Sequence, residues 1–264
     1  MTFEPLRLTE RDAIRAYLNQ DRRLTAYALG DLDDAFWPKS EFWGARVGGE
    51  LRALVLLFRG LDPAVLTAFG DPDGVRAVFE AMTLPPEIYY LFPPEMETLA
   101  DAYYERPNAS QEWRMVLNPG DFKPPALDGV TRLQPEHADA LGVLFKHAAE
   151  PGEEVVAFSP WQIGHGVFYG VWQNDRLVAT AGTHVWSVSE QVATIGNVFT
   201  MPNQRSHGYA TRCTAAVVRD SLAAGIDNVV LNVRYGNDAA LHVYEKLGFR
   251  RYCTFLEGPG LRRK

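Results

Sequence analysis

The chain has 264 residues, of which 47% are hydrophobic and 22% are charged, so its composition suits a globular protein of one large domain or two small ones. Its net charge of −7 and isoelectric point near 5.4 argue against general binding to nucleic acids or anionic membranes, because both favour a basic surface. Its longest apolar runs, such as residues 53–58, are far shorter than the roughly 20 residues of a membrane-spanning helix.

The cysteines and histidines give no sign of a disulfide framework or a metal centre. The two cysteines, Cys213 and Cys253, are expected to be reduced core residues of a cytoplasmic protein. The six histidines lack metal-ligand spacing with cysteines or carboxylates, so no metal is expected. Residues 1–5 have neither the basic nor the apolar region of a secretory signal.

The first part of the chain, in order, mixes helical and strand patterns. Residues 11–32 predict a helix with Thr9 as N-cap and Asp12 three residues later, a variant of the capping box. Residues 41–58 alternate and predict a hairpin that turns at Gly48-Gly49. The other predicted elements are strands at 64–69, 87–92 and 112–117 and helices at 74–82 and 95–104.

The stretch that follows these elements predicts a linker. Residues 118–125 contain three prolines and one glycine. We therefore predict a first domain at 1–120, a linker at 121–126 and a second domain at 127–264.

The order of elements begins again after the linker. Arg7-Leu8 corresponds to Arg132-Leu133 at an offset of 125, and Phe42-Trp43-Gly44-Ala45 corresponds to Phe168-Tyr169-Gly170-Val171 at an offset of 126. Coincidental strand composition is the alternative. We interpret the pattern as a tandem duplication.

The clearest chemical signal is a strand, loop and helix in the second half. Residues 195–200 are mainly β-branched or aromatic, Pro202 and Asn203 end that strand, and residues 208–224 predict a helix closed by Gly225. The N–H groups of a first helical turn have no partner within the helix, and the helix dipole places partial positive charge there. The pattern therefore indicates an anion site, which suits a pyrophosphate.

The spacing Arg205-x-x-Gly208-x-Ala210 resembles the pyrophosphate loop of the GNAT superfamily, the acyl-CoA-dependent N-acyltransferases. Pro202 precedes this loop, and a predicted strand at 228–233 follows the helix. Residues 237–249 then resemble the closing motif of the family, an asparagine followed seven residues later by tyrosine and then by Leu-Gly-Phe. The resemblance implies an α/β (α+β) fold with two mixed, mostly antiparallel sheets flanked by helices.

The resemblance also implies where acetyl-CoA would bind. The pantetheine arm would run beside the strand and bond to its main chain at Val198, Phe199 and Thr200. The pyrophosphate would be held by the N–H groups of the loop and first turn, with Arg205 at the entrance; these are Ser206, His207, Gly208, Tyr209, Ala210 and Thr211. His207 is either a phosphate neighbour or a solvated loop residue, and Asn237 either anchors the pantetheine or the loop, or caps a helix.

Catalytic roles follow from the same resemblance. Tyr244 stands where the family uses a tyrosine to protonate the leaving thiolate, and the alternative is a buried tyrosine that packs a helix on the sheet. The positions of the glutamate base found in many relatives are Thr194 and Asn232, which cannot act as bases at neutral pH. The general base is therefore left open. The proton could pass through water to a backbone carbonyl, to His184 or to Glu190, or the substrate amine could arrive already neutral.

The two halves differ in the loop that would face the pyrophosphate. In the first half Asp71 and Asp73 occupy it, and like charge opposes anion binding. We therefore expect a degenerate first half that binds no CoA and supports the second half or forms a wall of the acceptor pocket.

The expected function is transfer of an acetyl or short acyl group from acetyl-CoA to a small-molecule or peptide amine, by direct attack in a ternary complex. The alternative is a non-catalytic acyl-CoA-binding sensor or structural protein, which the neutral Thr194 and Asn232 would favour. A longer acyl donor is a further possibility, since the aromatic segment 158–172 would line a wide pocket unless it is ordinary core. Neither nucleic acid nor membrane is an expected partner.

Overall fold

In the computed structural model, which describes residues 2–148 and 158–264, the same order of strands and helices runs along the chain twice. The strands are β1 Glu4–Leu8, β2 Ser40–Val47, β3 Glu50–Phe58, β4 Ala64–Gly70, β5 Glu87–Phe92, β6 Tyr104–Glu105, β7 Ser110–Leu117, β8 Val130–Arg132, β9 Tyr169–Gln173, β10 Arg176–Ser187, β11 Val192–Thr200, β12 Asn228–Arg234 and β13 Arg250–Arg262. The helices are α1 Arg11–Leu18, α2 Ala26–Gly30, α3 Pro72–Ala81, α4 Glu97–Tyr103, α5 Ala138–Ala148, α6 Trp161–His165, α7 Tyr209–Ala223 and α8 Asp238–Leu247. None of these described helices is long and apolar enough to cross a membrane.

The contacts group the chain into two units. The first contains Met1–Arg114 together with Cys253–Lys264, and the second contains Met115–Tyr252. This grouping differs from the predicted division at 1–120 and 127–264 chiefly in the placement of residues 253–264. The domain boundaries therefore stay a prediction.

The first unit is a sheet whose strands β1, β2, β3 and β4 are antiparallel neighbours, followed by β5 parallel to β4. The last strand of the unit comes from far along the chain, because β13 pairs antiparallel with β5 from Leu256 opposite Phe92 to Leu261 opposite Glu87. The predicted hairpin joins β2 to β3, and Gly48 and Gly49 at its turn have φ of 57° and 86°. Residues of α3, α4 and the sheet form one buried hydrophobic core, which includes Leu66, Val78, Tyr90 and Leu256.

The single helix predicted at 11–32 is wrong, because the segment forms two helices with a break between them. In the break the Asp21 carboxylate accepts hydrogen bonds from the N–H groups of Arg23 and Leu24, at 3.1 and 3.0 Å. The Thr25 hydroxyl donates to the carbonyls of Leu18 and Asp21. These local side-chain bonds replace helical ones. The N-cap of α1 is Glu10 rather than Thr9.

The second unit repeats the plan of the first. Strands β8, β9, β10 and β11 are antiparallel neighbours, and β12 is parallel to β11. Helices α5 and α7 both pack against β10 and β11. The helix predicted at 208–224 is confirmed as α7, and Gly225 follows it with φ of 80°, as a glycine that ends a helix should.

Candidate functional site

The sheet of the second unit opens between β11 and β12. Their parallel pairing runs from Val192 opposite Asn228 to Ile195 opposite Leu231. Both strands continue beyond that point, β11 to Thr200 and β12 to Arg234, without further pairs between them in the described structure. Backbone that lacks a neighbouring strand can take an extended ligand in its place. We call this space the β11–β12 gap.

Two β-bulges lie beside the β11–β12 gap. On β10, His184 is an extra residue between the pairs Thr183–Ile195 and Val185–Thr194. Its imidazole fills the space that a side chain at Gly196 would need. On β11, Asn197 and Val198 together oppose the single residue Ala181 of β10. Bulges of this kind re-aim side chains and are common next to active sites.

Three buried side-chain atoms on β11 and α7 have no hydrogen-bond partner. They are Asn197 Nδ2, Thr200 Oγ1 and Thr214 Oγ1, and in the described part of the second unit no other buried side-chain nitrogen or oxygen is unpaired. Two lie on β11 and one lies on α7. An unsatisfied buried polar group costs about 1–3 kcal/mol, so each of these atoms indicates a place where a ligand or water can complete the bonding.

The loop between β11 and α7 has the geometry of an anion site. Ser206 and Gly208 are both left-handed, with φ of 67° and 72°, and Gly208 is the residue before the first turn of α7. No side chain caps this helix end, so its first-turn N–H groups are available to an external anion. Ser206, His207 and Gly208 are exposed, and Tyr209, Ala210 and Thr211 are half-buried.

Positive and aromatic side chains surround the loop. The Arg205 Nε donates to the Thr200 carbonyl at 3.5 Å, which ties the exposed arginine to the end of β11. The His207 ring stacks on Tyr209, with centroids 5.5 Å apart, and its Nδ1 lies 2.9 Å from the Arg205 carbonyl. The Arg212 guanidinium lies 5.0 Å from the centre of the Tyr209 ring.

The prediction from sequence missed Arg212, although a signal was present. A cation in the first turn of a helix is disfavoured by the helix dipole, and here the Arg212 guanidinium donates to the Asp128 carbonyl and lies against the Tyr209 ring. It also missed Asn197. An asparagine directly after Gly196 in an otherwise β-branched strand is the signature of a bulge.

The corresponding helix of the first unit is closed to anions. Only Asp71 separates β4 from α3, and its carboxylate accepts a hydrogen bond from the Asp73 N–H at 3.0 Å as the N-cap. A carboxylate of the chain thus occupies the position that an external anion would take.

Asn237 and Tyr244 both lie on the α8 segment. The Asn237 side chain accepts a hydrogen bond from the Ala240 N–H at 3.1 Å and is the N-cap of α8. Tyr244 is only 5% exposed and packs edge-on to Phe249, with ring centroids 6.1 Å apart. Gly248 ends α8 with φ of 104°, and a side chain there would collide with the Asp121 carbonyl. Asn237 is therefore a helix cap, and any contact it makes with a ligand is a further prediction.

Among the titratable side chains considered as bases, only His184 lies at the β11–β12 gap. The Thr194 hydroxyl is fully buried and accepts from the Val185 N–H at 2.9 Å, so it serves the sheet. Glu190 precedes β11 and is seven residues from Asn197, or about 20 Å along an extended strand. Asn232 follows Leu231 at the edge of the gap but cannot accept a proton at neutral pH.

Aromatic rings connect β11 with the interior of the second unit. The ring centroid of Phe199 lies 4.9 Å from that of Phe145, and the ring centroid of Phe145 lies 4.9 Å from that of Phe158. Phe158 in turn contacts Phe168, which is fully buried. Phe168 is therefore core, whereas Phe158 and Phe199 are half-buried at the side of β11.

The cysteines do not have the character of nucleophiles. Burial raises the pKa of the Cys213 thiol to about 12 and that of Cys253 to about 11. At neutral pH both are therefore thiols, which are much weaker nucleophiles than thiolates.

Comparison with known proteins gives one sequence family and many related structures. Residues 135–249 match the Acetyltransferase (GNAT) family. A Drosophila protein superposes over 98% of this chain and 98% of its own, with a TM-score of 0.73 and 14% identity. A tandem GNAT protein from the clavulanic acid biosynthesis pathway superposes over 99% of this chain and 98% of its own, with a TM-score of 0.56 and 12% identity.

A third structure is described as a GNAT-family acetyltransferase from Novosphingobium aromaticivorans. It covers 75% of this chain and 84% of its own, at 22% identity and a TM-score of 0.56. No curated protein matches this chain in sequence. At these identities the structural likenesses show the fold, and they confirm the predicted mixed α/β architecture.

Proposed function

We propose that this chain, whose residues 135–249 match the Acetyltransferase (GNAT) family, moves an acetyl group from acetyl-CoA, or a short acyl group from the corresponding acyl-CoA, to a primary amine. The family makes the chain an acyltransferase. The donor, the acceptor and direct attack in a ternary complex are our proposal.

The observation that carries this proposal is the continuity of the β11–β12 gap with the uncapped start of α7. The strand supplies main-chain groups at Val198, Phe199 and Thr200 for an extended pantetheine arm. The loop that follows supplies the N–H groups of residues 206–211 for a pyrophosphate, with Arg205 beside them. In an acyl-CoA the pantetheine arm is joined to the pyrophosphate. The strand and the loop after it offer groups to these two parts in the same order.

We assign the proton transfers to two side chains. Tyr244 would give a proton to the CoA thiolate as the amine displaces it, a task that suits a phenol because it is neutral at pH 7. His184 would take the proton of the attacking amine, directly or through water, since the unprotonated nitrogen of a neutral imidazole is an acceptor. Its position at the edge of the β11–β12 gap supports this role over Glu190.

Release of thiol from acetyl-CoA in the presence of a panel of amines tests the proposal. We expect release that depends on both acetyl-CoA and an amine. In the His184→Gln protein we expect a lower kcat and loss of the limb of the pH profile that the histidine controls. If the protein binds acetyl-CoA but releases no thiol with any amine, the enzyme proposal is wrong and the second candidate function below is favoured.

That second candidate is a non-catalytic acyl-CoA-binding protein. One observation favours it. Thr194 stands where many relatives have a glutamate base, and its hydroxyl accepts a hydrogen bond from the Val185 N–H. The same release assay separates the two candidates.

We also propose that the first unit binds no CoA. Asp71 already caps α3, and no multi-residue loop stands between β4 and that helix. Calorimetry should give one acetyl-CoA per chain, and a stoichiometry of two would contradict the proposal.

A further inference from the structure

The side chain of Asn197 is a buried hydrogen-bond donor without a partner, at the place where β11 leaves β12. It is 6% exposed, its Nδ2 has no acceptor, and the last β11–β12 pair lies two residues earlier at Ile195. Burying such a donor destabilises the ligand-free protein. A site that keeps it can recover this loss when a ligand supplies an oxygen.

The backbone at Asn197 explains the choice of residue only in part. With φ of 52°, Asn197 is in the left-handed region, which glycine, asparagine and aspartate tolerate best. Glycine would meet the backbone requirement without burying an unsatisfied amide. The left-handed backbone at the bulge therefore does not explain why the residue carries an amide side chain.

The chemistry of the amide restricts what it can meet. Nδ2 only donates, so its partner must offer a lone pair and cannot be an ammonium group. The residues that follow it, Val198, Phe199 and Thr200, are those along which the proposed function places the pantetheine arm. That arm of an acyl-CoA carries amide carbonyls and ends in the thioester carbonyl.

We propose that Asn197 is a specificity-determining residue whose side-chain amide donates a hydrogen bond to a carbonyl oxygen of the acyl-pantetheine arm. This inference rests on the proposed function of the same site. It adds a side-chain contact to a surface otherwise described by main-chain groups, and it gives the bulge on β11 a purpose. The bulge lies at the residue where this buried donor sits, next to the end of the β11–β12 pairing.

Binding measured by calorimetry on the full chain tests the proposal with two variants. Asn197→Asp removes the donor and adds a negative charge, and Asn197→Gly removes the side chain while keeping the left-handed backbone. We expect acetyl-CoA affinity to fall roughly tenfold or more for Asn197→Asp and roughly fivefold for Asn197→Gly. The thermal midpoint of ligand-free Asn197→Gly should not fall, because the unsatisfied donor is gone.

Asn174 offers the matched control. It is left-handed too, with φ of 48°, but lies exposed in the turn between β9 and β10. Asn174→Asp and Asn174→Gly should bind acetyl-CoA as the wild type does. Comparison of acetyl-CoA with CoA locates the oxygen, since a loss with acetyl-CoA alone assigns the thioester carbonyl and an equal loss with both assigns a pantetheine amide.

The outcomes are decisive in each case. Folded Asn197 variants with wild-type affinity for both ligands overturn the inference and leave the proposed function standing. A wild-type protein that binds neither acetyl-CoA nor CoA overturns both. If the variants do not fold, NMR of the wild type decides, because the Asn197 side-chain NH₂ resonances should shift on addition of acetyl-CoA and a lack of any shift refutes the contact.

Discussion

At the scale of single residues, Gly208 combines two requirements, a left-handed backbone and an open approach to the start of α7. Its φ is 72°, and a Cβ placed on it would meet no atom within 4 Å. Gly208→Val should therefore bring about 1–2 kcal/mol of backbone strain and put two methyl groups where a phosphate would lie. We expect acetyl-CoA affinity to fall roughly tenfold or more, as measured by calorimetry.

Gly225 provides the control for strain, since it lies just beyond the other end of α7 with φ of 80° and the same open surroundings. Gly225→Val should lose similar stability and keep its affinity for acetyl-CoA. Equal affinity in folded Gly208→Val and wild-type proteins would show that the pyrophosphate does not lie on this loop.

Tyr244 is the second residue whose role can be separated from its packing. Phenylalanine preserves the edge-on contact with Phe249 and removes only the hydroxyl. We expect Tyr244→Phe to lower kcat by roughly ten- to a thousandfold with little change in acetyl-CoA affinity, which is the behaviour of a group that acts in the transition state. The exposed Tyr252 serves as control, and an unchanged kcat in Tyr244→Phe would place Tyr244 in the core alone.

From the sequence, residues of the candidate site could be predicted only where they belong to a motif of fixed spacing. Arg205, Gly208 and Tyr244 follow a spacing that a reader of the sequence can recognise. Asn197 was not predicted, and His184 was only one of several possible bases, because their placement depends on two bulges in the register of β10 and β11. Register is a property of paired strands, and neither strand alone encodes it.

At the scale of elements, α3 and α7 stand in the same order after strands β4 and β11 but begin in opposite ways. Asp71 caps α3 with its own carboxylate, whereas α7 begins at a glycine without a cap. Asp71→Ala should therefore destabilise the first unit by about 1 kcal/mol, visible as a lower midpoint in thermal or urea unfolding.

Asp73→Ala is the comparison for Asp71→Ala, because the Asp73 side chain is exposed and its ion pair with Arg76 is long, at 4.0 Å. Its effect should be clearly smaller. If the two variants lose the same stability, the cap does not explain the closed start of α3.

Local elements were predicted better than their interruptions. The hairpin at Gly48-Gly49 and the helix before Gly225 are confirmed, because glycine conformations and apolar spacing act within a few residues. The break near Asp21 was missed, since its side-chain bonds to Arg23 and Leu24 compete with a helix that the apolar spacing alone favours.

At the scale of the whole molecule, the first unit depends on a strand that the sequence places far from it. Leu256 and Leu261 of β13 pair with Phe92 and Glu87 of β5, and this partner could not be predicted because contacts at such sequence separation leave no local pattern. Deletion of residues 253–264 should remove the neighbour of β5 and bare its edge. We expect faster amide hydrogen exchange at Ile88–Phe92 and a lower thermal midpoint.

Replacement of Arg263 and Lys264 by alanine, with β13 intact, is the control for that deletion. Unchanged exchange at Ile88–Phe92 after the deletion would show that β13 does not support the first unit. A fall in exchange protection confined to that segment would support it.

The order of synthesis gives this arrangement a consequence in time. A ribosome makes residues 1–114 first, then the whole of the second unit, and only then the segment 253–264 that pairs with β5. Domains usually fold as they emerge, with the N-terminal one first. Here the second unit has its strands β8 to β12 complete while the earlier-made unit still lacks its last strand. Nascent chains stalled before residue 253 should therefore expose β5 to chaperones and proteases, and synthesis of residues 253–264 would complete the first unit after the second.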